Sequence, residues 1–173
     1  MIRYALIASA GLFAAHAAAQ EMPKMKPGLW ETTTSTAAQK GAPNQSSKSS
    51  MCINEAVQKE MMDFSKGMGT QCSKNTTRRD GNKYIGEAEC TFGGSAMKSQ
   101  SVATFSGDTS YRVESRSTFS PPMSGMSESN TTQEAKYAGA CPANMKPGDM
   151  NMGGGRTMNI SDMAKMMNKG AKK

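Results

Sequence analysis

The sequence predicts a mainly β (α+β) fold: an antiparallel meander sheet of about six or seven strands, able to curl into a half or closed barrel, with one packed helix and a flexible C-terminal tail. Three observations carry this. Turn signals recur after Cys72 at Asp80-Gly81, Gly93-Gly94, Gly107-Asp108 and Pro121-Pro122. The segments between them alternate, with Tyr84, Gly86, Ala88, Cys90 and Phe92 on one parity and Glu87 and Glu89 on the other. One stretch, "NEAVQKEMMDFSKG", has helical spacing instead.

Taken in order, residues 1–19 have the form of a secretory signal: Arg3, the apolar run "ALIASAGLFAAHAAA", and Ala17 and Ala19 as an A-x-A cleavage site, so that cleavage is expected near Ala19/Gln20. The run is too short to span a bilayer, no later segment approaches about 18 apolar residues, and no cysteine follows the cleavage site to carry a lipid anchor. The chain is therefore expected in the bacterial periplasm or the medium. Residues 20–141 are expected to form the disulfide-stapled β domain and residues 142–173 a Met/Lys-rich tail.

Within the domain, "GLWETTTST" is β-branched and aromatic and suits a first strand, and Ser46 to Ile53 a second, weaker one. Asn54 is placed to cap the helix, Val57, Met61 and Phe64 form its apolar stripe, and Gly67 its end. In the later strands Tyr111, Val113 and Phe119 face one way, while Arg112, Glu114, Arg116 and Thr118 face the other. One face is packed and the other wet. From Pro142 onward turn formers dominate without periodicity, and Ser161 is the expected cap of a short final helix lined by Met163, Met166 and Met167.

Core material is scarce. After residue 19 only eleven residues are Leu, Ile, Val or Phe, far below the share at which a stable core is routine. Two resources offset this: sixteen methionines, which fill irregular gaps, and Cys52, Cys72, Cys90 and Cys141, which suit disulfides in an exported chain. Four cysteines allow three pairings. The Asp80-Gly81 turn lies midway between Cys72 and Cys90 and sets them opposite each other on a hairpin, which leaves Cys52 for Cys141. Zinc sites need shorter paired spacings than these.

Three short motifs, "KPGLWE" near the start, "MCINEA" opening the helix and "YAGACP" closing the sheet, together with two cysteines on hairpin strands, resemble the bacterial exported domain of unknown function 3617 family. The likeness runs from Met25 to Cys141. It implies an exported, mostly β domain with cysteine pairs, and no established activity.

The composition excludes much chemistry. The one histidine, His16, lies in the signal, so Ser-His-Asp and Cys-His catalysis and the usual zinc hydrolase site are not available once it is removed. Glu87 and Glu89 share one side of a strand, as acid-base work would require, but two wet-face glutamates are more simply solvation. The glycine-rich runs match no phosphate-binding loop, the basic residues are not interleaved with aromatics, and nucleic acid is not an expected partner. No enzyme is expected, and no cofactor, with Cu(I) the one alternative. It rests on seven thioethers in the tail, Met145, Met150, Met152, Met158, Met163, Met166 and Met167, soft ligands that suit Cu(I); the same sulfurs could serve as an oxidant sink. The tail's net positive charge supports at most weak contact with an anionic membrane surface. The leading expectation is a non-catalytic module that binds an apolar small ligand in the curve of its sheet or another envelope protein on its face. Trp30, the sole tryptophan, is expected to anchor the first strand in the core rather than to stack on a ligand.

Overall fold

The computed structural model describes residues 22–37, 44–69, 72–153 and 155–170, with the side chains of residues 68, 69 and 166–170 excepted. The expected signal, residues 1–19, lies outside them. In chain order come β1 (Gly28–Thr36), β2 (Gln45–Ile53), α1 (Glu55–Gly69), β3 (Cys72–Asp80), β4 (Lys83–Phe92), β5 (Ser95–Ser106), β6 (Ser110–Met123), β7 (Met126–Gly139), β8 (Asp149–Asn151), β9 (Thr157–Asn159) and α2 (Ile160–Gly170). The strands form one antiparallel sheet in the order β3-β4-β5-β6-β7-β1-β2-β8-β9. The meander runs from β3 to β7, and the β1-β2 hairpin then adds to its last strand. The sheet is open, with β3 and β9 at its edges, so it does not close into a barrel.

Nine strands stand where six or seven were expected, because the chain beyond Cys141 is not a free tail. The Gly148 amide donates to the Cys52 carbonyl at 2.8 Å, β8 pairs with β2 and β9 with β8. Ile160 then enters the core, and the Ser161 hydroxyl donates to Glu60 of α1 at 2.8 Å. One aliphatic residue in an otherwise polar, Gly-rich stretch produces no periodicity, which is why this docking is not visible in the sequence. Asn159 rather than Ser161 caps α2, its Oδ1 accepting from the Ser161 amide at 3.0 Å. Asn54 caps α1, accepting from the Val57 amide at 2.9 Å, and the helix continues two residues past Gly67.

The core gathers Trp30, Ile53, Val57, Ala135 and Ile160, with Met25, Met51, Met61, Tyr111 and Tyr137 packed around them. Trp30 is 2% exposed and is the largest fully buried side chain among the described residues. From it an aromatic band crosses the sheet: Trp30 to Tyr111 at 5.9 Å between ring centroids, Tyr111 to Phe105 at 5.5 Å and Phe105 to Tyr84 at 5.5 Å. Rings at these separations interact beyond the area they bury. With so few aliphatic side chains, this band does the work of a Leu/Ile/Val core.

The entry to β1 is fitted to Trp30. Its indole Nε1 donates to the Lys26 carbonyl at 2.8 Å, and the Lys26 ammonium lies 4.6 Å from the centre of the Tyr137 ring. Gln58 of α1 bonds both main-chain groups of Met25, accepting at 2.9 Å and donating at 2.6 Å. Gly28 adopts φ +143°, and a Cβ there would stand 2.3 Å from the Gly139 carbonyl oxygen and 2.6 Å from Tyr137 Cε2. No side chain fits.

Two disulfides tie down the ends. Cys72–Cys90 joins opposed positions of β3 and β4 and staples an edge strand that is otherwise almost wholly exposed. Cys52–Cys141 fastens the end of β2 to the chain just past β7 across 89 residues. On the chain-entropy view, loops of these lengths contribute about 3 and 4 to 5 kcal/mol, comparable with the net stability of a small domain.

Trp30→Ala is expected to cost about 3 to 5 kcal/mol in urea unfolding followed by circular dichroism. Gly28→Ala, which removes no contact, should still cost about 2 kcal/mol or more through clash and backbone strain; a neutral result would show that the β1 entry is not rigid.

The C-terminal extension should loosen in acid. Asp149 accepts from the Asn159 side chain at 2.9 Å and from the Lys146 amide at 2.7 Å, and these bonds hold its carboxyl below the ordinary value. Their stabilisation is complete above the unfolded pKa of about 4 and is lost as pH falls through the lower folded value. Amide protection factors in β8 and β9, with the intrinsic exchange rate divided out, should fall below about pH 4, and Asp149→Asn should remove that pH dependence.

Candidate functional site

Strand alternation divides the sheet into two unlike faces. One carries the core and the aromatic band. The other is a ladder of ion pairs: Arg112 with Glu134 and with Glu114, Arg116 with Glu128, Lys74 with Glu87 and Lys98 with Glu89. All these groups are substantially exposed, so each pair adds little stability. Their effect is to fix the long polar side chains in register.

A trough with a volume of about 730 Å³ crosses β4, β5, β6, β7, β1 and β2 on this wet side. Two cross-strand rows bound it. Ile85, Val102, Glu114 and Thr132 stand in register on one side, and Glu87, Gln100, Arg116 and Asn130 on the other. Gly86, Ser101, Ser115 and Thr131 lie between them. Five inter-strand steps give a length of about 24 Å along the sheet. On this face Ile85 and Val102 are apolar, while Ser35, Ser46, Gln100, Asn130 and Thr132 bring hydroxyl and amide groups beside Glu87, Glu114 and Arg116; the intervening row of Gly86, Ser101, Ser115 and Thr131 gives its main chain to the floor and turns its side chains to the other face.

Electrostatics set the character of the rim. The Lys74 ammonium donates to Glu87 at 2.6 Å and holds that carboxyl below the usual range. Glu128 is lowered likewise, first by the Asn130 amide at 2.8 Å and then by Arg116. A general acid needs a raised carboxyl pKa. Glu87 and Glu89 are neighbours on one side of β4 as expected, and each is paired with a lysine, Glu87 with Lys74 and Glu89 with Lys98. The trough offers hydrogen-bonding groups and charges already held in pairs.

Five of the seven tail methionines have described side chains. Met150 and Met158 stand directly opposite each other on β8 and β9. Met152 follows in the β8–β9 connection at 45% exposed, Met145 lies half-buried in the preceding turn, and Met163 is half-buried on α2. The side chains of Met166 and Met167 lie outside those described. Sequence reasoning missed Met51: on β2 it pairs with both Trp30 and Met150, so that Trp30, Met51, Met150 and Met158 form one cross-strand row. Only the pairing of β8 with β2 reveals it. Among the described residues no group of three or more His, Cys, Asp or Glu side chains could hold a metal ion. No helix among them is long and apolar enough to cross a membrane, and two disulfides fit an oxidising compartment outside the cytoplasm.

No curated protein matches this chain. A family model described as "Protein of unknown function (DUF3617)" matches residues 25–141. This span contains the three motifs that converge around Trp30: Gly28 of the first packs on Tyr137 and Gly139 of the third, while Cys52 of the second is bonded to Cys141 of the third. On that match, which covers more than half of its length, the chain belongs to the DUF3617 family of proteins of unknown function.

Proposed function

We propose that the protein is an exported, non-catalytic binding module of the bacterial envelope that holds a polar, hydroxyl- or amide-bearing ligand along the wet face of its sheet. The observation that carries this reading is the 730 Å³ trough across six strands, with its hydroxyl and amide lining and its charged side chains already paired. An elongated polar molecule matches such a surface, whereas an apolar one would leave those groups unsatisfied on desolvation. The signal-like residues 1–19 and the two disulfides support export to the periplasm or beyond. Cleavage near Ala19 would remove the one histidine, and Glu87 and Glu128 are held below the usual carboxyl range by their partners, which supports a binder rather than an enzyme.

A second reading has its own support. The opposition of Met150 and Met158 places two tail thioethers side by side, as Cu(I) binding or sacrificial oxidation would use them.

Native mass spectrometry of the protein purified from a bacterial envelope tests the first reading. It should carry a polar species that is displaced in Gln100→Trp, a change at an exposed position that narrows the trough without touching the core. Its thermal midpoint should stay within about 2 °C of the parent, as expected for a surface substitution. No bound species on the parent, or equal loading of the variant, would end this reading.

A further inference from the structure

We infer that Met51, Met150 and Met158 form a Cu(I) site on the edge of the sheet, a three-thioether set contributed by β2, β8 and β9. This rests on the thioether reading above and assigns it a ligand set, one that includes a residue far from the tail. The register is direct: Met51 pairs with Met150, and Met150 with Met158. Residues directly opposed on neighbouring antiparallel strands have Cβ atoms about 4.5 to 5.5 Å apart on one face. Met51 packs against the core cluster, which places the row on the same face as Trp30.

Methionine has three rotatable bonds, so sulfurs from the two outer strands can swing toward the middle one. A soft, monovalent d10 ion is the metal that neutral sulfur ligands select over Zn(II), Mg(II) or Ca(II). The row is graded in access: Met51 and Met150 are half-buried, and Met158, on the edge strand, is 39% exposed. A metal can therefore enter from the β9 side and come to rest between two partly shielded sulfurs. The strand itself argues for the set. β8 is only three residues long and pairs with β2 at two positions, Ser50 with Asn151 and Met51 with Met150, so one of its two cross-strand pairs is between methionines.

Thioethers carry no proton in the working pH range, so binding should not release protons, in contrast to thiol or imidazole sites. Trp30, the chain's one tryptophan, lies beside Met51 and supplies an internal probe.

The test uses the disulfide-bonded protein, with Ag(I) as a redox-inert d10 probe and Cu(I) in competition with a colorimetric chelator. One equivalent should bind, change Trp30 fluorescence, and shift the methyl resonances of Met51, Met150 and Met158 above all others. Affinity should be flat from pH 5 to 8. The triple variant Met51→Leu/Met150→Leu/Met158→Leu keeps the volume and removes the sulfur; it should bind roughly tenfold or more weakly while Met145→Leu/Met152→Leu/Met163→Leu binds like the parent. Binding that survives the first variant and fails in the second, or methyl shifts confined to other methionines, would overturn this ligand set and leave tail thioethers as the ligands. Failure of the parent to take up either ion would overturn both. The methyl shifts are read on the parent protein, so the outcome stands even where the triple variant does not fold.

Discussion

The rest of the structure depends on the seating of Trp30 against Tyr137. The indole is held by its bond to the Lys26 carbonyl, by the Tyr137 ring set steeply to it at 6.3 Å between centroids, and by Val57 of α1 in the same buried cluster. Gly28 has no Cβ because the Tyr137 ring and the Gly139 carbonyl occupy that space. Lys26, Gly28 and Trp30 thus surround one tyrosine. Spacing within "KPGLWE" is fixed by the chain's passage around a ring that belongs to "YAGACP", and Cys52–Cys141 holds the third motif to the same place. The motifs of the matched span are conspicuous in sequence because they are parts of a single packing arrangement.

A sheet this wide with so little aliphatic material works by distributing its stabilisation. Aromatic contacts run across five strands from Tyr84 to Trp30, and further out along the same face the residues become small and polar, as where the Ser117 hydroxyl bonds Ser99 at 3.0 Å. At the β3 edge no core exists, and the Cys72–Cys90 bond takes its place. At the β9 edge Ile160 enters the core, and methionines complete the packing around Trp30. Flexible thioethers suit the filling of such a junction.

This distribution separates folding from recognition. Because the core lies on one face, the opposite face is free of packing demands, and its charged side chains form cross-strand pairs, leaving a polar trough between two of its rows. The sheet edge formed by β8 and β9 is different again, held by two pairs to β2 and by polar side-chain bonds at Asp149 and Asn159. Surface recognition, as proposed, uses a face opposite the Trp30 arrangement, whereas the proposed metal row reaches that arrangement through Met51.

Much of this was legible in the sequence, for local reasons. Glycine and proline punctuation, two-residue alternation and the Asn54 cap are short-range properties, and they determined a mainly antiparallel sheet with one early helix, the opposition of Cys72 and Cys90 about the Asp80-Gly81 turn, and the division into packed and wet faces. A histidine-free chain after residue 19 is likewise a matter of composition alone. Tertiary structure decided the rest. The order in which β1 joins β7, the docking of β8 and β9 as two more strands, the reason for Gly28 and the row Trp30, Met51, Met150, Met158 all depend on contacts between segments far apart in the chain. Such contacts leave no periodic trace in either partner, because the complementarity lies in the pair and not in either segment read alone.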